Sequence, residues 1–191
     1  MRQLLLDITA LPRFHASRWL TTEGTRMAEA ALNRGALCVC LYGPAGGGKS
    51  HLLALAASRG ALVGDRLEDM EEEAQERLFH ALNAKLQVVV ASAVPVAQLT
   101  NLLPDLKSRL LTGEQVEVLP PDDDDLRTML QHWASVMQLS LPDAVMDYIL
   151  VRAGRSTHEL AALMARLDAL SLEQKRAVTV PLARTVLEGE V

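Results

Sequence analysis

Residues 43–50 read Gly-Pro-Ala-Gly-Gly-Gly-Lys-Ser, between the apolar run 36–42 and the helix-like run Ser50-His-Leu-Leu-Ala-Leu-Ala-Ala. A strand-like run that passes through a glycine loop into a helix commits this part of the chain to an α/β arrangement. Glycines let the backbone turn its N–H groups inward without obstruction from Cβ, and the helix N-terminus adds a field that favours phosphate. In such a loop Gly43, Pro44, Ala45, Gly46, Gly47 and Gly48 surround the phosphates, and His51 follows in the first helical turn. Lys49 would reach the β- and γ-phosphates, and Ser50 would ligate Mg²⁺. The bland alternative is a glycine-rich turn with no ligand.

With 191 residues, 49% of them hydrophobic, the chain has material for one core, or one core with a small appendage. Its net charge of −5 and the lack of a basic cluster argue against nonspecific or direct DNA binding, which needs a clustered cationic surface. No apolar run approaches the roughly 18 residues of a membrane span, and the first residues lack the zones of a signal peptide, so the expectation is a cytoplasmic protein. Cys38 and Cys40 lie two apart in Leu37-Cys-Val-Cys-Leu-Tyr and so share one side of a strand, where small buried thiols are the ordinary outcome. His15, His51, His80, His132 and His158 show no ligand spacing, and no transition metal is expected.

Strand-like and helix-like segments alternate from residue 36 to about 119, and the remainder is helical in pattern. Strands are expected at 36–42, 61–64, 86–92 and 115–119. Helices are expected from Lys49, over 70–84 and at 105–111. Asp69 with Glu72 reads as a capping box for the helix over 70–84, with Ala74, Leu78, Phe79 and Leu82 as its buried face. The acidic run Asp122 to Asp125 after Pro120-Pro121 could hold a divalent cation, but carboxylates there also cap a helix and offset its dipole. Further helices are expected at 142–152, 157–171 and 181–187. The boundaries are a core at 16–120 and a helical lid at 121–191, preceded by residues 1–15.

The phosphate loop continues as Lys49-Ser-His-Leu-Leu, and the chain later reads Leu103-Pro-Asp-Leu-Lys-Ser-Arg-Leu and Thr157-His-Glu-Leu, with Leu163, Arg166 and Leu167 following. Over nearly its whole length this succession resembles the AAA+ module of the bacterial replication initiator DnaA, and within that group the short regulators of the Hda or HdaA type. The resemblance implies a parallel sheet ordered 5-1-4-3-2, a helical lid, and no counterpart of the DnaA helix-turn-helix domain. Asp65 stands only 15 positions after Ser50, too few for the usual helix, strand, helix and Walker B strand. The expected fold is therefore an α/β AAA+ P-loop core whose parallel sheet has lost edge strand 2, followed by the helical lid.

By the same resemblance Asp65 falls at the Walker B position and would hold Mg²⁺ through water. Arg66 occupies the place of a second acid, and Ala93 that of the polar sensor 1 residue. A guanidinium cannot accept a proton from attacking water, so robust intrinsic ATPase is not expected, with Glu68 the nearest substitute. His158 stands where a sensor 2 arginine is usual, with Arg155 the other candidate for that part; bound ADP is expected rather than rapid turnover of ATP. Arg109 matches the arginine finger that acts on a neighbouring subunit's nucleotide, although pairing with Asp105 at i−4 is its bland alternative. Gln3, Leu4, Leu6 and Ile8, assigned to the N-terminal segment 1–15, resemble a hook for the DNA polymerase sliding clamp. The implied function is a clamp-tethered negative regulator of replication initiation that stimulates hydrolysis of DnaA-bound ATP. The alternatives are an independent P-loop ATPase or kinase, and a DnaA paralogue that recruits without activating hydrolysis. Self-association as a homo-oligomer stays open.

Overall fold

The computed structural model describes residues 19–154, 156–174 and 176–189, in two compact units: residues 23–120, and residues 19–22 with 121–189. The first unit runs α1 (Glu23–Asn33), β1 (Cys38–Tyr42), α2 (Lys49–Ser58), β2 (Leu62–Gly64), a 3-10 turn (Leu67–Asp69), α3 (Glu72–Asn83), β3 (Val88–Ser92), a second 3-10 turn (Val96–Gln98), α4 (Pro104–Leu111) and β4 (Glu114–Glu117). Its sheet is ordered β2-β3-β1-β4, and every pairing is parallel. That is the order 5-1-4-3 of the expected AAA+ sheet with edge strand 2 absent.

The interior strands β1 and β3 are apolar on both faces because helices cover both, as a parallel sheet requires, whereas the edge strand β4 buries only Val116. Every residue of β3 is buried, and so are Val39, Cys40 and Leu41 of β1. Period-two alternation sends Cys40, Val88 and Val90 into a cluster with Leu78, Leu106 and Leu110, beneath α3 and α4. Val39, Leu41, Val89 and Ala91 point to the opposite face; there α1 packs on β1 and β4, and α2 packs on β2 and β3. All four strands end at the same edge, so the segments following Tyr42, Gly64, Ser92 and Glu117 emerge together.

Two local expectations are corrected. Asp69 does not cap α3: it closes the 3-10 turn, and the N-cap is Glu71, which makes no side-chain cap bond. The buried face of α3 is Gln75, Leu78 and Ala81, while Ala74, Phe79 and Leu82 are only half-buried. Helix α1 lies outside the sequence-based expectations. It buries Thr25, Ala28, Ala31 and Leu32, a stripe of mostly small side chains.

The second unit comprises α5 (Asp123–Val136), α6 (Asp143–Arg152), α7 (Thr157–Gln174) and α8 (Val180–Glu188) around a core that includes Leu126, Leu130, Trp133, Ile149, Met164 and Leu167. Its acidic run is structural. The Asp122 carboxylate accepts the Asp125 N–H at 2.8 Å, and Asp125 accepts the Asp122 N–H at 3.4 Å, a reciprocal capping box.

Candidate nucleotide-binding site

The phosphate loop leaves β1 at its carboxyl end and enters α2 at Lys49, the position where open parallel sheets bind ligands. Gly43 (φ +139°), Gly46 (φ +85°) and Gly48 (φ +90°) hold backbone conformations that side chains disfavour. Gly47 has ordinary φ but no room: a Cβ there would stand 2.9 Å from the Val118 carbonyl oxygen. Val118, fully buried beyond β4, donates its N–H to the Tyr42 carbonyl at 2.8 Å and so holds the floor of the loop against β1. Gly48 gives α2 no side-chain cap, which leaves the helix N-terminus open to an anionic ligand. Pro44, Ala45 and Gly46 are exposed, and His51 is half-buried in the first turn.

Lys49 folds back on its own loop, donating from Nζ to the carbonyls of Gly43 at 2.6 Å and Pro44 at 2.8 Å. Burial pulls its ammonium below the ordinary lysine value of 10.5, and the Asp65 and Glu68 carboxylates work against that shift. The Ser50 hydroxyl donates to Asp65 Oδ2 at 2.9 Å. Strand pairing across the sheet thus joins the helix-borne hydroxyl to the carboxylate following β2. A hydroxyl and a carboxylate side by side next to an anion cradle suit Mg²⁺, which binds through one or two carboxylates together with phosphate oxygens. Among the described residues no cluster of three or more His, Cys, Asp or Glu is placed to hold a metal by itself.

Beyond Asp65 the chain turns sharply. Arg66 adopts a left-handed conformation (φ 49°, ψ 65°), and its exposed guanidinium lies 3.8 Å from Asp69. Glu68 is half-buried, and its Oε2 accepts the Ala93 N–H at 3.4 Å, next to the end of β3. Two amides that the sequence did not single out hold this turn. Asn101 Nδ2 donates to the carbonyls of Leu67 at 2.8 Å and Glu68 at 2.9 Å. Buried Gln75 donates to the carbonyls of Met70 and Asn101 and accepts the Leu103 N–H at 2.8 Å. An amide three residues before Leu78, on a helix whose other buried positions are apolar, was the signal available in the sequence.

Arg109 is exposed in the last turn of α4, and no ion pair joins it to Asp105. Helix α4 ends at the opposite edge of the sheet from the phosphate loop. Gly113 beyond it abuts Cys38, the first residue of β1, and the Cys40 thiol donates to the Leu110 carbonyl at 3.5 Å. Cys38 and Cys40 do share a face and shift each other in opposite directions: the Cys38 thiol is lowered by its neighbour Cys40, and Cys40 is pushed up by Cys38 and then by burial. Gln3, Leu4, Leu6, Ile8 and Arg155 lie outside the described residues, as does the side chain of His158, whose backbone is in α7. No described helix is long and apolar enough to cross a membrane.

The fold and the loop define a P-loop protein of the AAA+ class. Residues 122–187 match the family model described as "Hda, lid domain". The chromosomal replication initiator protein DnaA of Lacticaseibacillus casei (strain BL23) is 28% identical over 123 residues, covering 62% of this chain and 27% of that protein. The chain thus spans about a quarter of the length of the curated relatives it matches. Domain III of the Thermotoga maritima replication initiation protein DnaA superposes with a TM-score of 0.75 at 16% identity, over 93% of this chain and 97% of that one. AMPPCP-bound DnaA from Aquifex aeolicus gives 0.64 at 21% identity, over 85% and 67%. The helical unit is thus similar to the Hda lid domain, and the chain shares sequence with DnaA over 123 residues and the fold of DnaA domain III.

Proposed function

We propose that this chain is a nucleotide-bound negative regulator of replication initiation, which holds ADP or ATP with Mg²⁺ and lends Arg109 to ATP bound on DnaA. The observation that carries this reading is the place of Arg109: exposed, unpaired with Asp105, and at the sheet edge opposite its own phosphate loop. The length of β1, about 13 Å at the usual strand rise, separates the two edges, so a planar cation there serves a neighbouring molecule better than its own.

In the chain's own site Gly43, Gly46, Gly47 and Gly48 cradle phosphate with backbone N–H groups. Lys49 exchanges its loop carbonyls for phosphate oxygens, and Ser50 and Asp65 hold the metal. Mg²⁺ when bound neutralises phosphate charge. Arg155 or His158 would complete the nucleotide contacts from the lid. Gln3, Leu4, Leu6 and Ile8 would dock on the sliding clamp, raising the local concentration of the finger near DnaA in the cytoplasm. A bound AMPPCP in the Aquifex aeolicus DnaA supports the choice of an adenine nucleotide.

The test is the hydrolysis rate of DnaA-bound ATP with the clamp loaded on DNA, comparing wild type, Arg109→Ala and no added chain. Stimulation by wild type and loss of about 10³-fold in Arg109→Ala, with complex formation retained, is the expected result. Equal stimulation by both would remove the finger; no stimulation by wild type, with DnaA still bound, would favour a recruitment factor.

A further inference from the structure

We infer that Glu68 is a catalytic base for hydrolysis of the chain's own nucleoside triphosphate, an inference that rests on the nucleotide-binding reading above. A phosphoanhydride attacked by water needs a carboxylate or similar group near the terminal phosphate to receive the water's proton. The carboxylates whose charge Lys49 feels are those of Asp65 and Glu68. Asp65 is fully engaged: Oδ2 accepts the Ser50 hydroxyl at 2.9 Å, and Oδ1 accepts the Arg66 N–H at 2.9 Å. Glu68 is held by one oxygen only, Oε2 against the Ala93 N–H, which leaves Oε1 without a partner among the described residues.

The backbone is arranged to bring Glu68 there. The left-handed turn at Arg66 carries the guanidinium away toward Asp69, and the following 3-10 turn returns the chain to the end of β3. Asn101 holds the carbonyl of Glu68 itself, and Gln75 holds Asn101, so the turn is fixed from α3 and from the segment before α4. Arg66 in place of an acid, and Ala93 with no polar side chain, are then two halves of one rearrangement: the acid comes from two residues later, and the backbone amide at 93 orients it. Glu68 Oε1 accepts the proton of the water whose oxygen bonds to the γ-phosphorus, as the bond from that phosphorus to the β,γ-bridging oxygen breaks and its electron pair leaves with the diphosphate. The chain can thus convert a bound triphosphate to the diphosphate without a partner.

The experiment uses the full chain, wild type and Glu68→Gln, with two readouts: single-turnover hydrolysis of bound ATP, and equilibrium affinity for AMPPCP and ADP. The amide is nearly isosteric with the carboxylate and can still accept the Ala93 N–H, and thermal melts check that both proteins are folded. The expected result is slow but measurable hydrolysis by wild type and a loss of about 10²-fold in Glu68→Gln, the lower end for removal of a general base. ADP affinity should hold while the affinity for AMPPCP relative to ADP rises at least about threefold, because an anion facing the terminal phosphate has been neutralised. An unchanged rate, an unchanged AMPPCP-to-ADP ratio, or no hydrolysis by wild type that binds both nucleotides overturns the role of Glu68. Failure of wild type to bind either nucleotide overturns the underlying reading instead.

Discussion

Replacing Gln75 by leucine tests whether the amide relay between α3, Asn101 and the Leu67–Asp69 turn is what holds this part of the core. Gln75 is 3% exposed and makes three hydrogen bonds, to Met70 O at 2.9 Å, to Asn101 O at 3.1 Å and from Leu103 N at 2.8 Å. Leucine conserves the volume and removes all three. At about 1 kcal/mol net per bond, with a further penalty for the Leu103 N–H left without its acceptor and an offset from added apolar burial, the loss is about 3 kcal/mol. With a urea slope of about 2 kcal/mol per molar, the unfolding midpoint of the core should fall by about 1.5 M. Far-UV circular dichroism is the suitable probe, because Trp19 and Trp133 both belong to the lid unit. Hydrogen exchange at the Leu103 amide should accelerate in parallel. A midpoint shift below about 0.5 M, on the same slope, or unchanged protection at Leu103 would refute the reasoning.

Lys49 carries a pH dependence. Burial lowers its ammonium pKa in the free protein below 10.5, while bound phosphate favours the charged form, so nucleotide affinity should be full below the free-state pKa and fall as pH rises through it; affinity flat up to pH 10.5 would contradict this. Cys38, half-exposed and lowered, should react with iodoacetamide at pH 8 before Cys40, which is 1% exposed and pushed up; mass spectrometry showing equal labelling of the folded protein would exclude that order. Asp122→Ala removes the capping box of α5 and should cost about 1 kcal/mol, about 5 °C in a lid melt followed by buried Trp133, and a shift under about 1 °C would show the box to be idle.

The phosphate loop was legible because it depends on residue types at fixed spacing, whereas the four-stranded order followed from the resemblance to the AAA+ module and not from any local pattern. The strand starts were less legible, and the reason is single. Apolar pattern alone began β1 at residue 36 and β3 at 86, two residues early in both cases, although Leu37 and Leu86 are 54% and 56% exposed. Pairing begins where Cys38 meets Val88, and Leu62 joins at the same level, so one register sets three starts that no local window contains. Helix α1 escaped notice because its buried stripe of Thr25, Ala28, Ala31 and Leu32 carries little hydrophobic contrast. The misplaced cap at Asp69 has a tertiary cause. A local capping box was available, but Asn101, more than 30 positions away, holds the Leu67 and Glu68 carbonyls and keeps residues 67–69 in the 3-10 turn.

That same register explains why a core that has lost an edge strand keeps its site intact. Asp65 follows Gly64, which pairs with Val90 of β3, and β3 in turn pairs residue for residue with β1, which delivers the phosphate loop. The chain of positioning from Asp65 to Ser50 therefore passes through interior strands and never through the missing one. The new edge is short, three residues, and little of it is open: Ala61 and Val63 are 9% and 8% exposed, and Met70 lies over Gly64 so closely that a Cβ would stand 2.8 Å from its methyl carbon. A brief, covered edge gives a stray strand little to pair with. The 15 positions between Ser50 and Asp65 are thus enough for a helix, a turn and a strand that is both the rim of the sheet and the support of the carboxylate that accepts the Ser50 hydroxyl.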